Sequence, residues 1–292
     1  MAGPYVRAVI VLPLLGRILL GFVYCVVGFN VVTFLIAFVR RPPRRVVTAF
    51  IKELLATLVL VPAWPLFALL GERWQHVDLG APPAGAHRTP VILLHGYLMN
   101  RTNWLWFGPQ LARRGLGPVY GLSYFSLAPV EKSAERLAAF IEKVARREGV
   151  EQVDVVAHSM GGLVARWFIE KSGGGARVRK LITIATPHHG TALASLALGR
   201  ARRDIHPGSP LFSSLGQAPH DANYTSIWSR CDNMVLPPES AQLTPIAPES
   251  GEAEVEDMAN NVYDDVVFDD LGHLSLLLSP RVVEAVADRL SA

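Results

Sequence analysis

The stretch that decides the reading is Val153-Asp154-Val155-Val156-Ala157-His158-Ser159-Met160-Gly161-Gly162. Its first half is a short apolar, β-branched run, as expected of a buried strand. Its second half is a tight turn of small residues that leads into a helical stretch, 161–171. A serine on such a strand-to-helix turn has its hydroxyl pushed into the open, provided the residues around it let the two elements approach closely. The helix behind it aims its first N–H groups at whatever the oxygen attacks. Gly161 and Gly162 supply the room on one side. On the other, Ala157 replaces the glycine of the usual G-x-S-x-G pattern and is still small. Ser159 is therefore the expected nucleophile; the plain alternative is a serine that only caps the helix.

Outward from this turn, apolar runs alternate with stretches of helical period, the pattern of a parallel sheet with crossover helices. The expected strands are 90–94, 118–124, 153–157, 180–185, 224–229 and 262–268. Between them, 130–147 sets Ala134, Leu137, Ala138, Ile141 and Val144 on one stripe, as an amphipathic helix requires, and 280–290 closes the chain as another helix. The fold class expected is α/β, a mostly parallel six-stranded sheet with helices on both faces, spanning 89–292. A Pro/Gly/Ala linker at 76–88 precedes it, and a helical membrane-associated segment occupies 1–75. The stretch 237–261, rich in Pro, Ser, Ala and acid, is expected to be a long solvated loop.

An exposed serine needs a base, an acid to orient that base, and donors for the oxyanion. In this strand–helix arrangement the order along the chain is serine, acid, histidine. His273 follows the last strand and precedes the last helix, so it is the expected base. Asp232 directly follows the strand 224–229 and is the expected acid, with Asp264, Asp265, Asp269 and Asp270 as rivals. The oxyanion donors expected are the backbone N–H groups of Met160, after the nucleophile, and of Tyr97, in Leu93-Leu94-His95-Gly96-Tyr97. His95, Gly96, His158 and His188 complete the expected substrate-binding set. Of these, His95 reads better as a structural histidine at a strand end, and His188, with His189, as wall or local hydrogen-bonding residues. No metal-ligand spacing is present, and no cofactor is expected.

The front of the chain differs in kind. Ile18 to Val39 holds 22 residues without a charge, enough to cross a hydrocarbon core that takes about 20 helical residues. It is longer than the apolar core of a cleavable signal. A second stretch, 54–70, carries Pro62 and Pro65, and spans, re-enters or lies in the interface. Between them stand Arg40, Arg41, Arg44, Arg45 and Lys52 against Glu53 alone, so the connector is expected on the cytoplasmic side. Two spans would put the rest of the chain outside the cytoplasm, across a bacterial inner membrane; one would leave it inside. The two-span hairpin is the favoured expectation. Residues 1–53 hold seven basic residues and one acidic one, net +6, while the remaining 21 basic and 24 acidic residues give −3. The basic character belongs to the anchor, which removes any support for a nucleic-acid partner. Cys25 and Cys231 are not expected to pair.

Several of these segments resemble those of a known group. The run Val156 to Gly162 is similar to the nucleophile motif of the compact bacillus-type bacterial lipases, which also use alanine for the first glycine. Gly272-His273-Leu274-Ser275-Leu276-Leu277-Leu278-Ser279 resembles their histidine segment, and Thr186-Pro187-His188-His189-Gly190-Thr191 a segment found more widely among bacterial lipases. The resemblance covers about 88–292. It implies a minimal α/β-hydrolase with a triad of Ser159, Asp232 and His273 and oxyanion donors at Tyr97 and Met160. The departures are the anchor, a longer interval between Asp232 and His273, and an insertion at 193–221, read as a lid or membrane-facing helix or as an ordinary crossover helix. The expectation is a membrane-anchored lipase or esterase acting on a lipid or other hydrophobic ester. A membrane-bound phospholipase or acyltransferase, or a tethered binding module without turnover, is the alternative. Chain-length preference and oligomeric state are not legible in the sequence.

Overall fold

In the computed structural model the described residues are 4–40, 44–62, 76–80, 89–215, 223–243 and 263–292. The linker core 81–86, residues 63–70 of the second apolar stretch, the end of the 193–221 insertion and most of the 237–261 loop lie outside them. The strands are β1 (His76–Gly80), β2 (Val91–Leu94), β3 (Val119–Leu122), β4 (Val153–His158), β5 (Val178–Ile184), β6 (Asn223–Ser229) and β7 (Tyr263–Phe268). They lie side by side in the order β1-β3-β2-β4-β5-β6-β7. The six from β2 to β7 run parallel and coincide with the six expected ones. A seventh, β1, falls in the segment read as linker and pairs antiparallel along the edge of β3. The order reverses direction at β2, so the central strand β4 carries its C-terminal end, and Ser159, into the crevice at the middle of the sheet.

The helices are α1 (Pro4–Arg40), α2 (Val46–Leu60), α3 (Phe107–Arg113), α4 (Val130–Glu148), α5 (Met160–Lys171), α6 (Ala201–Asp204), α7 (Pro210–Leu215) and α8 (Pro280–Ser291). Side chains on parallel strands alternate between two buried faces. Ile92, Leu94, Val155 and Ala157 pack with Leu137 and Ile141 of α4 and Leu163 and Phe168 of α5. Val91, Leu93, Val156 and Ile182 pack on the other face with Phe107 and Leu111 of α3 and Val282, Val283 and Val286 of α8. Each such side chain larger than alanine, fully buried, contributes about 1.5–3 kcal/mol. The one acid inside β4, Asp154, is buried and held by both arms of Arg179 at 2.9 and 2.6 Å.

The second face has an unexpected member. Ala56 and Leu60 of α2 belong to the same cluster as Val156 and Val283, so α2 is packed on the sheet domain. It is 15 residues long, about 22 Å at 1.5 Å per residue, which is short for a bilayer core of about 30 Å. Over its described residues, then, one face of the second apolar stretch enters the core of the sheet domain while the other stays exposed. Among the described residues one segment, Leu20–Val39 of α1, is long and apolar enough to cross a membrane. Its later half packs back on α2 through Phe34 and Phe50, whose ring centroids are 5.4 Å apart edge to face.

The 193–221 insertion is neither a single crossover helix nor a separate flap over its described part. It is a 3-10 turn (Ala192–Leu196) followed by α6 and α7. Ala201, Ile205, Leu211 and Leu215 sink into the core, and Asp204 accepts the first N–H of α4, from Val130, at 2.8 Å. Leu196 and Leu198 stay exposed at its tip.

Candidate active site

The turn after β4 has the conformation its sequence implied. Ser159 has φ 55° and ψ −131°, a region that costs a side-chain-bearing residue about 1–3 kcal/mol and persists only when its surroundings hold it. They do: the Ser159 N–H donates to the Ile184 carbonyl at 2.8 Å, and the Ser159 carbonyl accepts the Thr186 hydroxyl at 2.8 Å. The two glycines answer to close approaches. A Cβ on Gly161 would lie 2.5 Å from the His95 carbonyl oxygen, and one on Gly162 within 2.8 Å of three atoms of the Thr186 side chain. On the opposite side Gly96 meets the serine itself, since a Cβ there would fall 2.7 Å from Ser159 Cβ. The loop bearing Gly96 and Tyr97 therefore stands directly against the Ser159 turn, with Met160 opening α5 beside it. The Tyr97 phenol is bonded to the backbone of Leu198, tying this loop to the tip of the insertion.

His273 and Asp232 come together although 41 positions separate them. Both follow parallel strands, and Nδ1 of His273 donates to Asp232 Oδ2 at 2.9 Å. The other carboxylate oxygen, Oδ1, accepts the N–H groups of Met234 and Val235 at 2.7 and 2.9 Å, which fixes the plane of the carboxylate. The His273 ring lies 4.6 Å, centroid to centroid, from that of His158, the residue before Ser159. Burial disfavours a charged imidazole, but Asp232, and beyond it Glu53, overcome this and hold the His273 pKa above its ordinary value. Three of the four rival acids have other partners: Asp264 pairs with Arg289, Asp269 with Arg230, and Asp270 with Lys52 and Arg281.

His95, His158 and His188, expected in the substrate-binding set, each hold hydrogen bonds within the protein. All three are buried. His95 stacks on Tyr124 at 4.3 Å. Its Nε2 accepts the Tyr124 N–H at 3.2 Å, which leaves Nδ1–H to donate to the Gly96 carbonyl at 2.9 Å. Desolvation brings its pKa down to about 4, so it is a neutral strut under the Gly96 loop. His158 donates to the His273 carbonyl at 3.2 Å, and burial, then the neighbouring His273, keeps it neutral. His188 bridges the Arg166 guanidinium and the Thr183 hydroxyl. Burial, then the Arg166 charge, holds it in the neutral form.

Two participants escaped the sequence reading. Asn233 accepts the His273 N–H on Oδ1 at 3.2 Å and donates from Nδ2 to Thr33 Oγ1 of α1 at 2.8 Å. Glu53 of α2 accepts the N–H groups of Leu274 and Ser275, each at 2.8 Å. The available signal for Glu53 was its position. It is the one acid among the apolar residues of α2, on the same helical face as Ala49, Ala56 and Leu60.

Residues 118–200 match a family described as a domain of unknown function (DUF7379). The chain is similar to a triacylglycerol lipase of Burkholderia plantarii, 30% identical over 148 residues, which are 45% of this chain and 40% of the relative. The match thus takes in less than half the length of that relative. Among solved structures it is similar to Aspergillus fumigatus lipase B, with a TM-score of 0.59 at 20% identity over 75% of this chain and 57% of the other. It is likewise similar to a Bacillus licheniformis lipase in its mature form, with a TM-score of 0.56 at 15% identity over 72% and 96%. The architecture of the sheet domain is that of the α/β-hydrolase fold.

Proposed function

We propose that this chain is a carboxylic ester hydrolase, a lipase or esterase held at a membrane, working through an acyl-enzyme on Ser159. The observation that carries the proposal is the buried Asp232–His273 pair at 2.9 Å, whose imidazole lies 4.6 Å, centroid to centroid, from His158, the residue before a serine held at φ 55°. His273 Nε2 takes the Ser159 proton as the oxygen attacks the ester carbonyl, and returns it to the departing alcohol. Asp232 keeps the proton of the resting imidazole on Nδ1 and stabilises the imidazolium. The N–H groups of Tyr97 and Met160 stabilise the oxyanion. Water activated by the same histidine then releases the acid. The likeness to a triacylglycerol lipase supports an ester of hydrophobic acyl chains as substrate.

The membrane enters through α1. With α2 packed on the catalytic domain, a single span leaves the domain on the side of Arg40, Arg41, Arg44 and Arg45. By the positive-inside rule that is the cytoplasmic side. The outward face of α2, with Val47, Ile51, Leu55 and Val59 exposed in one stripe, is suited to lie against lipid.

The test is labelling of the full chain in membranes by a fluorophosphonate probe, followed by hydrolysis of p-nitrophenyl acyl esters, an acylglycerol and a phospholipid. Labelling and turnover should both vanish in Ser159→Ala. An unlabelled native protein would overturn the enzyme reading. Digestion of the domain by protease added to intact spheroplasts would overturn the cytoplasmic placement.

A further inference from the structure

The segment that ought to be a mere anchor touches the catalytic loops at two separate places. From α2, the buried Glu53 carboxylate accepts the N–H groups of Leu274 and Ser275, the two residues after His273. The fit is close, because a Cβ on Gly272 would fall 2.6 Å from Glu53 Oε2. From α1, Thr33 Oγ1 accepts from Asn233, whose Oδ1 in turn accepts the N–H of His273 itself. The helices are joined to each other by Asn30 donating to Thr57 at 3.3 Å, and Thr57 donates to the Glu53 carbonyl at 2.7 Å. A carboxylate is costly to bury unless it is paired or hydrogen-bonded. This one is bonded to the two backbone N–H groups that directly follow the histidine.

We infer that Glu53 is a positioning residue for His273, and that α1 and α2 together clamp the loop bearing the catalytic base, so that the anchor is a structural part of the active site. The inference rests on the reading of His273 as general base. Misplacing a catalytic group by about 1 Å is enough to cost about a hundredfold in rate, and the loop 271–275 has its N–H groups at 272, 273, 274 and 275 committed to Ser275, Asn233 and Glu53. The charged groups around Glu53 are Lys52 on its own helix, Asp270, His273 and Arg281 from the chain end, and Asp232 from the loop after β6. Lys52 and Arg281 are both engaged by Asp270. Burial, moderated by the two backbone N–H groups and by His273, pushes Glu53 up to about 7. Its negative charge favours the charged form of His273.

The experiment uses the full chain in membranes or detergent, with fluorophosphonate titration to count active centres. Glu53→Gln should lower kcat per titrated centre on a soluble p-nitrophenyl ester about 10- to 100-fold, with KM within about twofold. It should also move the acid limb of kcat/KM to lower pH. Glu53→Asp, which keeps the charge and shortens the reach, should lose rate but keep the limb nearer its native position. A purely structural role would reduce the number of titratable centres and leave both quantities unchanged per centre. Glu53→Gln with native kcat and a native acid limb overturns the inference. Should Glu53→Gln yield no folded protein, Thr33→Val decides: a several-fold fall in kcat per centre supports the clamp, and native kcat overturns it. His273→Ala separates the two levels, since activity surviving there would refute the triad reading itself.

Discussion

Replacing Asp232 by asparagine should disable the site almost without disturbing its shape. In the native protein Oδ1 accepts the N–H groups of Met234 and Val235 at 2.7 and 2.9 Å and lies 3.2 Å from Nδ1 of His273, while Oδ2 holds the shorter bond to that Nδ1, at 2.9 Å. An amide has one oxygen, and its NH2 cannot point at two N–H donors, so the oxygen must take the Oδ1 position. The NH2 then meets Nδ1 of His273, which has to give up its proton and accept. The proton moves to Nε2, the nitrogen that must be bare to take a proton from Ser159. In a serine triad this exchange of tautomer costs about 10⁴-fold in kcat, or about 5.5 kcal/mol of barrier. Stability should change little, because both backbone hydrogen bonds are kept. The assay is kcat on a p-nitrophenyl ester near pH 8, with the thermal midpoint measured alongside. Asp269→Asn, which disrupts only an exposed pair with Arg230, should stay near native. Turnover of Asp232→Asn within tenfold of native, or a collapse in Asp265→Asn instead, would refute the assignment.

Three further outcomes are expected. The acid limb of kcat/KM should fall above pH 6.5: only neutral His273 can act as base, its pKa is raised in the folded protein, and activity is therefore lost as pH drops through that raised value. Gly162→Ala places a methyl group on the buried, β-branched Thr186 and should destabilise the domain by about 1–3 kcal/mol, seen as a lower unfolding midpoint and weaker probe labelling. Changing Leu196, Leu198 and Phe125 together to serine removes exposed apolar side chains. It should slow hydrolysis of ester lipids in vesicles several-fold while sparing a soluble ester.

The parallel strands were readable because each is a short run, buried on both faces in all but the edge strand β7, and the turn at Ser159 because strand, turn and helix are contiguous. The Asp232–His273 pair was readable as well, since both follow strands that end at the same edge of the sheet. β1 was hidden, because its pairing energy comes from β3, some forty positions on, and nothing local in a five-residue segment next to Pro and Gly announces it. The docking of α2 was hidden for a different reason. Alanines and leucines look alike whether lipid or a protein core receives them, and only Glu53 distinguished the two. His95, His158 and His188 are all buried, and a sequence does not tell an imidazole that binds from one that props up a loop.

The Thr33–Asn233 bond has a consequence for where the reaction takes place. Among the described residues Thr33 lies inside the one segment long and apolar enough to cross a membrane, and Asn233 is the residue next to the proposed catalytic acid. With α1 in the bilayer, no slack separates lipid from catalyst, and the enzyme cannot reach outward on a leash. Asp232 and His273, the proposed acid and base, would then sit at a set height relative to the lipid. Such an enzyme would choose among lipids partly by how deep each one carries its ester, and a thicker or thinner bilayer would alter its activity without any change in the site.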